Sequence, residues 1–245
     1  MKGVILAGGN GTRLNPLTFV TSKHLLPVYN KPMIYWPLET LIACSIRDIL
    51  IITGRRRAKD FPDLLGRGEG FGVKLSYEIQ ETAGGIDHAL SLAEGFTRGE
   101  KAAVILGDNI FFDADEIRQG VEDFYEQREG AKIFLKSVTN SDQFGVATLQ
   151  NDIVVNIEEK PLEPKSNLIV TGMYLFDSKV FDIIRTIKPS ARGELEITDV
   201  NNCYIKNGTM TYQILTEDWI DAGTFDSLLE ANISAAKLGK EKSLK

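Results

Sequence analysis

Residues 2–14 read Lys2-Gly3-Val4-Ile5-Leu6-Ala7-Gly8-Gly9-Asn10-Gly11-Thr12-Arg13-Leu14, an apolar run that breaks directly into a glycine turn carrying an arginine. The run reads as a strand. The glycines let backbone N–H groups approach and wrap a phosphate, and Arg13 adds a planar cation that grips two phosphate oxygens at once. A glycine turn after a strand is, taken alone, an ordinary structural loop. It is not a Walker A loop, because no Gly-Lys-Ser/Thr closes it. Leu14 stands where a dinucleotide fingerprint needs its third glycine.

Outward from this stretch the chain alternates short β-branched runs with helical spacing. Strands are expected over 2–7, 48–53, 74–80 and 102–106, with helices over 34–46, 58–65 and 86–96 between them. Such alternation predicts a parallel sheet with right-handed crossovers. After Asp113 the pattern gives a helix to about Arg128, strands over 131–138, 146–149, 153–158 and 168–176, then helices over 178–187 and 196–206. A strand over 211–215 and a last helix from Phe225 to about Leu238 follow, and the Lys-rich segment 237–245 is expected to fray. No Pro/Ser/Gly linker and no repeat interrupts the chain, so residues 1–245 read as a single α/β domain with two lobes. Its fold class is a Rossmann-like mixed, mostly parallel sheet flanked by helices.

The 245 residues are 43% hydrophobic and 25% charged, the balance of an ordinary globular chain. A chain of this length removes roughly 70–75% of its unfolded surface from water, which excludes a stapled mini-protein. The 28 basic against 34 acidic residues give a net charge of -6, the wrong sign for a polyanion, so neither nucleic acid nor an anionic membrane is an expected partner. Cys44 and Cys203 show neither metal spacing nor a disulfide framework and read as reduced thiols. The run 4–7 is too short for a signal peptide, and no stretch has the length of a membrane span; a cytoplasmic protein is expected.

Several residues could carry chemistry. In Ser22-Lys23-His24-Leu25-Leu26-Pro27-Val28 a lone lysine sits among apolar residues, either snorkelling at the surface or facing an anion near the glycine turn. Asp108 follows Val104-Ile105-Leu106-Gly107, at the C-terminal end of a buried strand, where open α/β sheets place ligands. Asp221 follows Trp219-Ile220. Each aspartate alone fits a cap or turn, but two carboxylates from different strand ends suit Mg²⁺, whose other positions go to water and phosphate oxygens. Glu158-Glu159-Lys160 is either a solvated stretch or a carboxylate and a lysine for sugar hydroxyls and a phosphate. Arg55-Arg56-Arg57 opens a helix without aromatic neighbours and reads as a solvated face. The glycines of 66–72 read as a helix-to-strand loop. His24 and His88 are the two histidines, so a multi-histidine metal site is excluded, and no Gly-x-Ser-x-Gly elbow supports a serine hydrolase.

The ordered set LAGGNGTRL (6–14), SKHLLPV (22–28), KPMIY (31–35), LGDNIF (106–111), FGVA (144–147), IEEKP (157–161), PKSN (164–167), VTGMY (170–174), KPSARGELEITD (188–199) and WIDAGT (219–224) resembles the sugar-phosphate nucleotidyltransferases over nearly the whole chain. The resemblance implies that Gly8, Gly11 and Arg13 bind the nucleotide, that Lys23 stabilises charge at the reacting phosphorus, and that Asp108 and Asp221 hold Mg²⁺. It places Gln80 at the base-reading position, with Gly85 nearby; one amide donor and one acceptor match thymine O4 and N3–H. Gly145, Glu159, Lys160, Thr171, Tyr174 and Arg192 match the sugar-phosphate side, which Glu194 and Trp219 also line. On this basis residues about 1–112 form a nucleotide-binding lobe and about 113–245 a sugar-phosphate-binding lobe. The implied reaction transfers a thymidylyl group from dTTP to glucose 1-phosphate, within a homo-oligomer, a tetramer by resemblance.

Other readings stay open at this point. Uracil presents the same edge to Gln80, so UTP would use the same residues, as would a modified hexose 1-phosphate. A catalytically silent nucleotide-sugar-binding module could dispense with Lys23, Asp108 and Asp221, all of which are present. A Rossmann oxidoreductase would bind NADH. Two departures from the family pattern stand out. Asp87-His88 replaces the usual Ala-Gln, so that Asp87 either satisfies a helix dipole or alters base or sugar choice. The sequence ends at Lys245, whereas longer members continue with helices that contribute to an allosteric nucleotide-sugar site, which leaves feedback regulation open.

Overall fold

Strand β1 (Lys2–Ala7) runs through the middle of a mixed sheet, and its side chains explain its position. Val4 and Leu6 enter one apolar cluster and Ile5 and Ala7 another, because alternate residues of a strand face opposite sides. A strand covered on both faces carries a continuous apolar run rather than a polar alternation.

The computed structural model describes residues 1–82, 84–190 and 195–243, without the side chains of 240–243. After β1 come β2 (Pro27–Val28), β3 (Lys31–Pro32), α1 (Tyr35–Ala43), β4 (Asp48–Gly54), α2 (Asp60–Leu65), β5 (Lys74–Gln80), α3 (Ile86–Ser91), α4 (Glu94–Thr97), β6 (Ala102–Leu106) and β7 (Asn109–Phe111). The chain continues with α5 (Asp115–Glu126), β8 (Ala131–Ser137), β9 (Gly145–Gln150), β10 (Ile153–Glu159), β11 (Leu168–Phe176), α6 (Val180–Thr186), α7 (Ile197–Lys206), β12 (Met210–Leu215), β13 (Trp219–Asp221) and α8 (Phe225–Ser243).

Across the sheet the order is β12-β8-β11-β6-β1-β4-β5, in which β11 alone runs against its neighbours. The mostly parallel, Rossmann-like reading therefore holds. The β9–β10 hairpin joins through Ile169, opposite Val146. Strand β11 shifts register against β8 between Val170 and Tyr174, and that irregularity falls where the strand faces the cavity described below. Helices α3, α6 and α7 cover one face of the sheet, through Leu90, Phe181 and Tyr204 among others. Helices α1, α2 and α5 cover the other, through Leu41, Phe61 and Phe124.

Three differences from the sequence expectation matter. The helix expected over 86–96 is two, because the bonds of Leu92 to Ala89 and Ala93 to Leu90 tighten the ladder to i−3 partners. The Lys-rich segment does not fray at 237: α8 continues through Ser243. Strands β7 and β13, three residues each, were not anticipated. They pair antiparallel with Asp221 opposite Asn109, and the Ala222 N–H donates to the Asp108 carbonyl at 2.9 Å. This ribbon brings together two aspartates that lie far apart in the chain. Both cysteines are unbonded, and burial pushes the Cys44 thiol up to about 12.

Candidate active site

The glycine turn leaves β1 at the C-terminal edge of the sheet and forms one wall of a cleft of about 830 Å³, with Gly8, Gly9, Asn10, Ser22 and Gln80 in its lining. Gly11 adopts φ +64, and a Cβ there would sit 3.0 Å from the Lys23 and Thr18 side chains. A glycine is required because the Lys23 stem passes directly beneath the turn. Gly8 is packed as closely: a Cβ there would overlap Gln80 Oε1. Gly54 keeps the neighbouring strand end bare, since a Cβ would lie 2.9 Å from the Gly8 carbonyl.

Lys23 does not snorkel. Its Nζ forms an ion pair and hydrogen bond with Asp108 Oδ2, with side-chain exposures of only 13% and 8%. Burial opposes ionisation of Asp108, but the neighbouring groups, Lys23 foremost, together outweigh it and hold the carboxyl far below the usual range. The next residue, His24, is buried, accepts or donates a 3.1 Å bond with Ser22 Oγ, and is pushed down to about 3 by burial and then by Lys23, so it stays neutral. Asp221 stands on the neighbouring strand, with Oδ1 accepting the Gly223 N–H at 2.9 Å. Burial, and then the negative charge of Asp108, push it up to about 6. Two carboxylates, one buried and one half-buried, held close enough to repel each other form a hard-oxygen donor pair, and a divalent cation between them removes that repulsion. Among the described residues no third His, Cys, Asp or Glu completes an all-protein cage, which matches a cation that takes its remaining ligands from phosphate and water.

A second cavity of about 270 Å³ opens on the other side of Asp221, lined by Arg13, Gly145, Glu159, Lys160 and Tyr174 among others. Arg13, expected at the nucleotide, thus lines this second cavity, where a Cβ on Gly223 would lie 2.7 Å from both its Nη2 and Asp221 Oδ1. Glu159 Oε2 accepts the Thr198 hydroxyl at 2.7 Å, and Lys160 Nζ lies 4.0 Å from Glu159 Oε1. A Cβ on Gly145 would touch Glu159, Thr198 and Ile157. Tyr174 is 4% exposed, and burial raises its hydroxyl pKa further than the neighbouring carboxylates do. Lys23 runs beneath the glycine turn that walls the first cavity, and its partner Asp108 is followed directly by Asn109 in the lining of the second.

Three expectations are qualified by the structure. Thr171 is wholly buried and its hydroxyl donates to the Phe134 carbonyl at 3.0 Å, on the opposite face of β11; Gly172 and Tyr174 face the cavity instead. Strand alternation sends residue 171 away from the cavity that Val170, Gly172 and Tyr174 line. Arg55 and Arg56 are exposed, as a solvated face requires, but the run Arg55-Arg56-Arg57 also has a structural part. All three line the larger cleft, and Arg56 and Arg57 donate to the Phe19 carbonyl at 2.8 and 3.3 Å, tying the loop after the glycine turn to the end of β4. Gly85 does not line the larger cleft; its carbonyl accepts from Gln80 Nε2 at 3.2 Å. Arg192 and Glu194 lie outside the described residues.

Asn109 and Thr198 were missed in the sequence. Asn109 Oδ1 accepts both the Gly172 N–H at 2.9 Å and the Trp219 indole N–H at 2.8 Å, while its Nδ2 donates to Asp108 Oδ1 at 3.3 Å. Its place directly after Asp108, ahead of an apolar pair, was the available signal.

Residues 2–237 match the nucleotidyl transferase family. The chain belongs to that family, and it is a nucleotidyltransferase. It is 45% identical over 234 residues to the glucose-1-phosphate thymidylyltransferase of Neisseria meningitidis, an alignment covering 94% of this chain and 81% of that protein. The enzyme of the same name from Mycolicibacterium smegmatis is 45% identical over 238 residues, covering 95% and 81%. Among solved structures, a Bacillus anthracis protein designated a candidate glucose-1-phosphate thymidylyltransferase, in complex with sucrose, superposes with a TM-score of 0.92 at 55% identity, covering 96% and 95% of the two chains. A UDP-glucose pyrophosphorylase complexed with UDP-glucose shares the fold, at a TM-score of 0.86 and 24% identity.

Proposed function

We propose that this protein transfers a thymidylyl group from dTTP to glucose 1-phosphate, giving dTDP-glucose and pyrophosphate, with Mg²⁺ held by Asp108 and Asp221. The observation that carries the reading is 45% identity, across 94% of the chain, to a thymidylyltransferase of that name. The geometry is compatible, since the Lys23–Asp108 pair connects the glycine turn that walls one cavity to Asn109 in the lining of the other. In this reading residues about 1–112 take the nucleotide and about 113–245 the sugar phosphate.

A phosphate oxygen of the sugar 1-phosphate attacks the α-phosphorus of dTTP, the bond from that phosphorus to the β-phosphate bridging oxygen breaks, and pyrophosphate leaves. No covalent enzyme intermediate is needed, so the protein's work is to position two polyanions and to compensate charge. Bound Mg²⁺ supplies neutralisation of phosphate charge. Gly8 and Gly11 present backbone N–H groups to the triphosphate, and Lys23, aimed by Asp108, faces the reacting phosphoryl group. Arg13, placed between Asp221 and the smaller cavity, faces both substrates' phosphates. Glu159, braced by Thr198, accepts sugar hydroxyls, Lys160 and Arg192 take the sugar's phosphate, and Gly145 leaves room for the ring beside Tyr174. We place the enzyme in the cytoplasm as a homo-oligomer; among the described residues no helix is long and apolar enough to cross a membrane.

Pyrophosphate release with Mg²⁺, crossing dTTP, UTP, CTP, ATP and GTP against glucose 1-phosphate and other sugar 1-phosphates, tests the reading. A maximum at dTTP with glucose 1-phosphate is expected. A maximum at another pair overturns the substrate assignment, and no release with any pair overturns the activity.

A further inference from the structure

Gln80 ends β5 with 7% exposure, and its amide nitrogen faces inward: Nε2 lies 3.2 Å from the Gly85 carbonyl and 3.3 Å from Nδ1 of His88. A carbonyl can only accept, so Gly85 fixes which end of the amide points at it. The opposite orientation would set two oxygens against each other. With the nitrogen fixed, His88 Nδ1 must be the acceptor of the second amide hydrogen, which puts the imidazole proton on Nε2. His88 reaches this position because residue 84 is glycine; a Cβ there would lie 2.6 Å from Nδ1. Both amide hydrogens are then engaged, so the donor expected for thymine O4 is taken up within the protein, and what Gln80 offers beside Gly8 is its carbonyl oxygen.

We infer that His88 is a positioning residue for base selection, holding the Gln80 amide so that an acceptor faces the nucleotide. The inference rests on the reading of Gln80 as the base reader. An acceptor at that place takes the N3–H of thymine or uracil and repels the N3 lone pair of cytosine; a rotated amide would present a donor and welcome cytosine. One residue of the Asp87-His88 departure thereby acquires a role in rejecting the amino pyrimidine. Thymine and uracil are treated alike, because their N3–H groups are identical.

The test compares His88→Leu, which keeps bulk but has no acceptor, with His88→Gln, whose carbonyl restores one, and with Gln80→Leu. Dissociation constants for dTTP and dCTP are measured on each, together with kcat and KM for dTTP. His88→Leu leaves the amide held by Gly85 alone, so the preference for dTTP over dCTP falls about five- to tenfold, the worth of one hydrogen bond. The dTTP KM rises while kcat stays unchanged, and His88→Gln recovers the preference. If His88→Leu keeps the wild-type preference while Gln80→Leu loses it, His88 does not position the amide and the inference fails. Should Gln80→Leu also keep the preference, the base-reading role of Gln80 is wrong and the inference falls with it. If the leucine variant does not fold, failure of His88→Gln to match the wild-type preference overturns it equally.

Discussion

The Gly172 N–H donates to Asn109 Oδ1 at 2.9 Å, a bond spanning 63 residues that joins the strand lining the smaller cavity to the residue beside Asp108. The same oxygen accepts from Trp219, and the same amide donates to Asp108. One buried side chain therefore sets the distance between the carboxylate end of the site and the sugar wall. Replacing Asn109 by Ala removes three bonds at once and leaves the Gly172 and Trp219 donors unmatched. The expected result is at least a tenfold fall in kcat/KM for glucose 1-phosphate, equivalent to about 1.4 kcal/mol, with thymidine nucleotide binding much less affected. Steady-state kinetics with each substrate varied in turn checks it.

The Lys23–Asp108 pair calls for two different variants. Lys23→Met leaves Asp108 as an unpaired buried charge and should cost stability on the order of 3–5 kcal/mol as well as turnover. Asp108→Asn keeps the shape but leaves Lys23 as the unpaired charge, so it too should lose stability, by less because the lysine is the more exposed partner, while kcat falls roughly 10²-fold or more. Urea unfolding alongside initial rates separates the two effects. Near-normal turnover of Asp108→Asn would remove that residue from the mechanism.

Thr198→Val tests the sugar side. The valine keeps the shape but takes away the 2.7 Å donor to Glu159. The KM for glucose 1-phosphate should rise about three- to tenfold, the worth of a charge-assisted bond at a partly exposed site, with the KM for dTTP unchanged. Equal rises in both would show a general disturbance instead.

What the sequence disclosed and what it withheld divide along physical lines. The edge strand 74–80, KLSYEIQ, was legible from its β-prone residues between turns although several of its side chains are exposed. Strand 168–176 was legible to the residue, because a run buried on both faces must be almost continuously apolar. Asp108 was legible because it ends such a strand. The ribbon of β7 and β13 was not, since three residues carry no periodicity and the pairing partner lies more than 100 positions away. Thr171 was misread because it was placed on the same side as Tyr174, three positions away, whereas strand alternation puts Val170, Gly172 and Tyr174 at the cavity and 171 on the other face. Arg56 and Arg57 looked solvated because their acceptor, the Phe19 carbonyl, is a backbone group that no side-chain pattern announces. Lys23 was ambiguous alone, and its partner, 85 residues on, settled it.

Asp87 gives the protein a pH-dependent stability. Its side chain is fully buried, neither oxygen has a hydrogen-bond partner among the described residues, and burial, then Asp199 and Glu196, push it up to about 7. No bond to the α3 backbone supports a dipole-capping role. The unfolded chain ionises this group from about pH 4, the folded one only near 7, so stability falls as pH rises through that window and the loss is complete above it. The full penalty is on the order of 4 kcal/mol. Asp87→Asn should therefore gain stability relative to wild type between pH 5 and pH 8, by roughly 2–4 kcal/mol in urea unfolding. A difference between the two proteins that does not change with pH would contradict the assignment.

The most direct test of the central claim follows the phosphorus. The enzyme is incubated with Mg²⁺, glucose 1-phosphate and dTTP labelled at the α-phosphorus, and the products are separated. The account predicts that the label leaves in dTDP-glucose and that unlabelled pyrophosphate appears in equal amount. Label recovered as dTMP, or retained in dTTP while a γ-phosphate is lost, would contradict it.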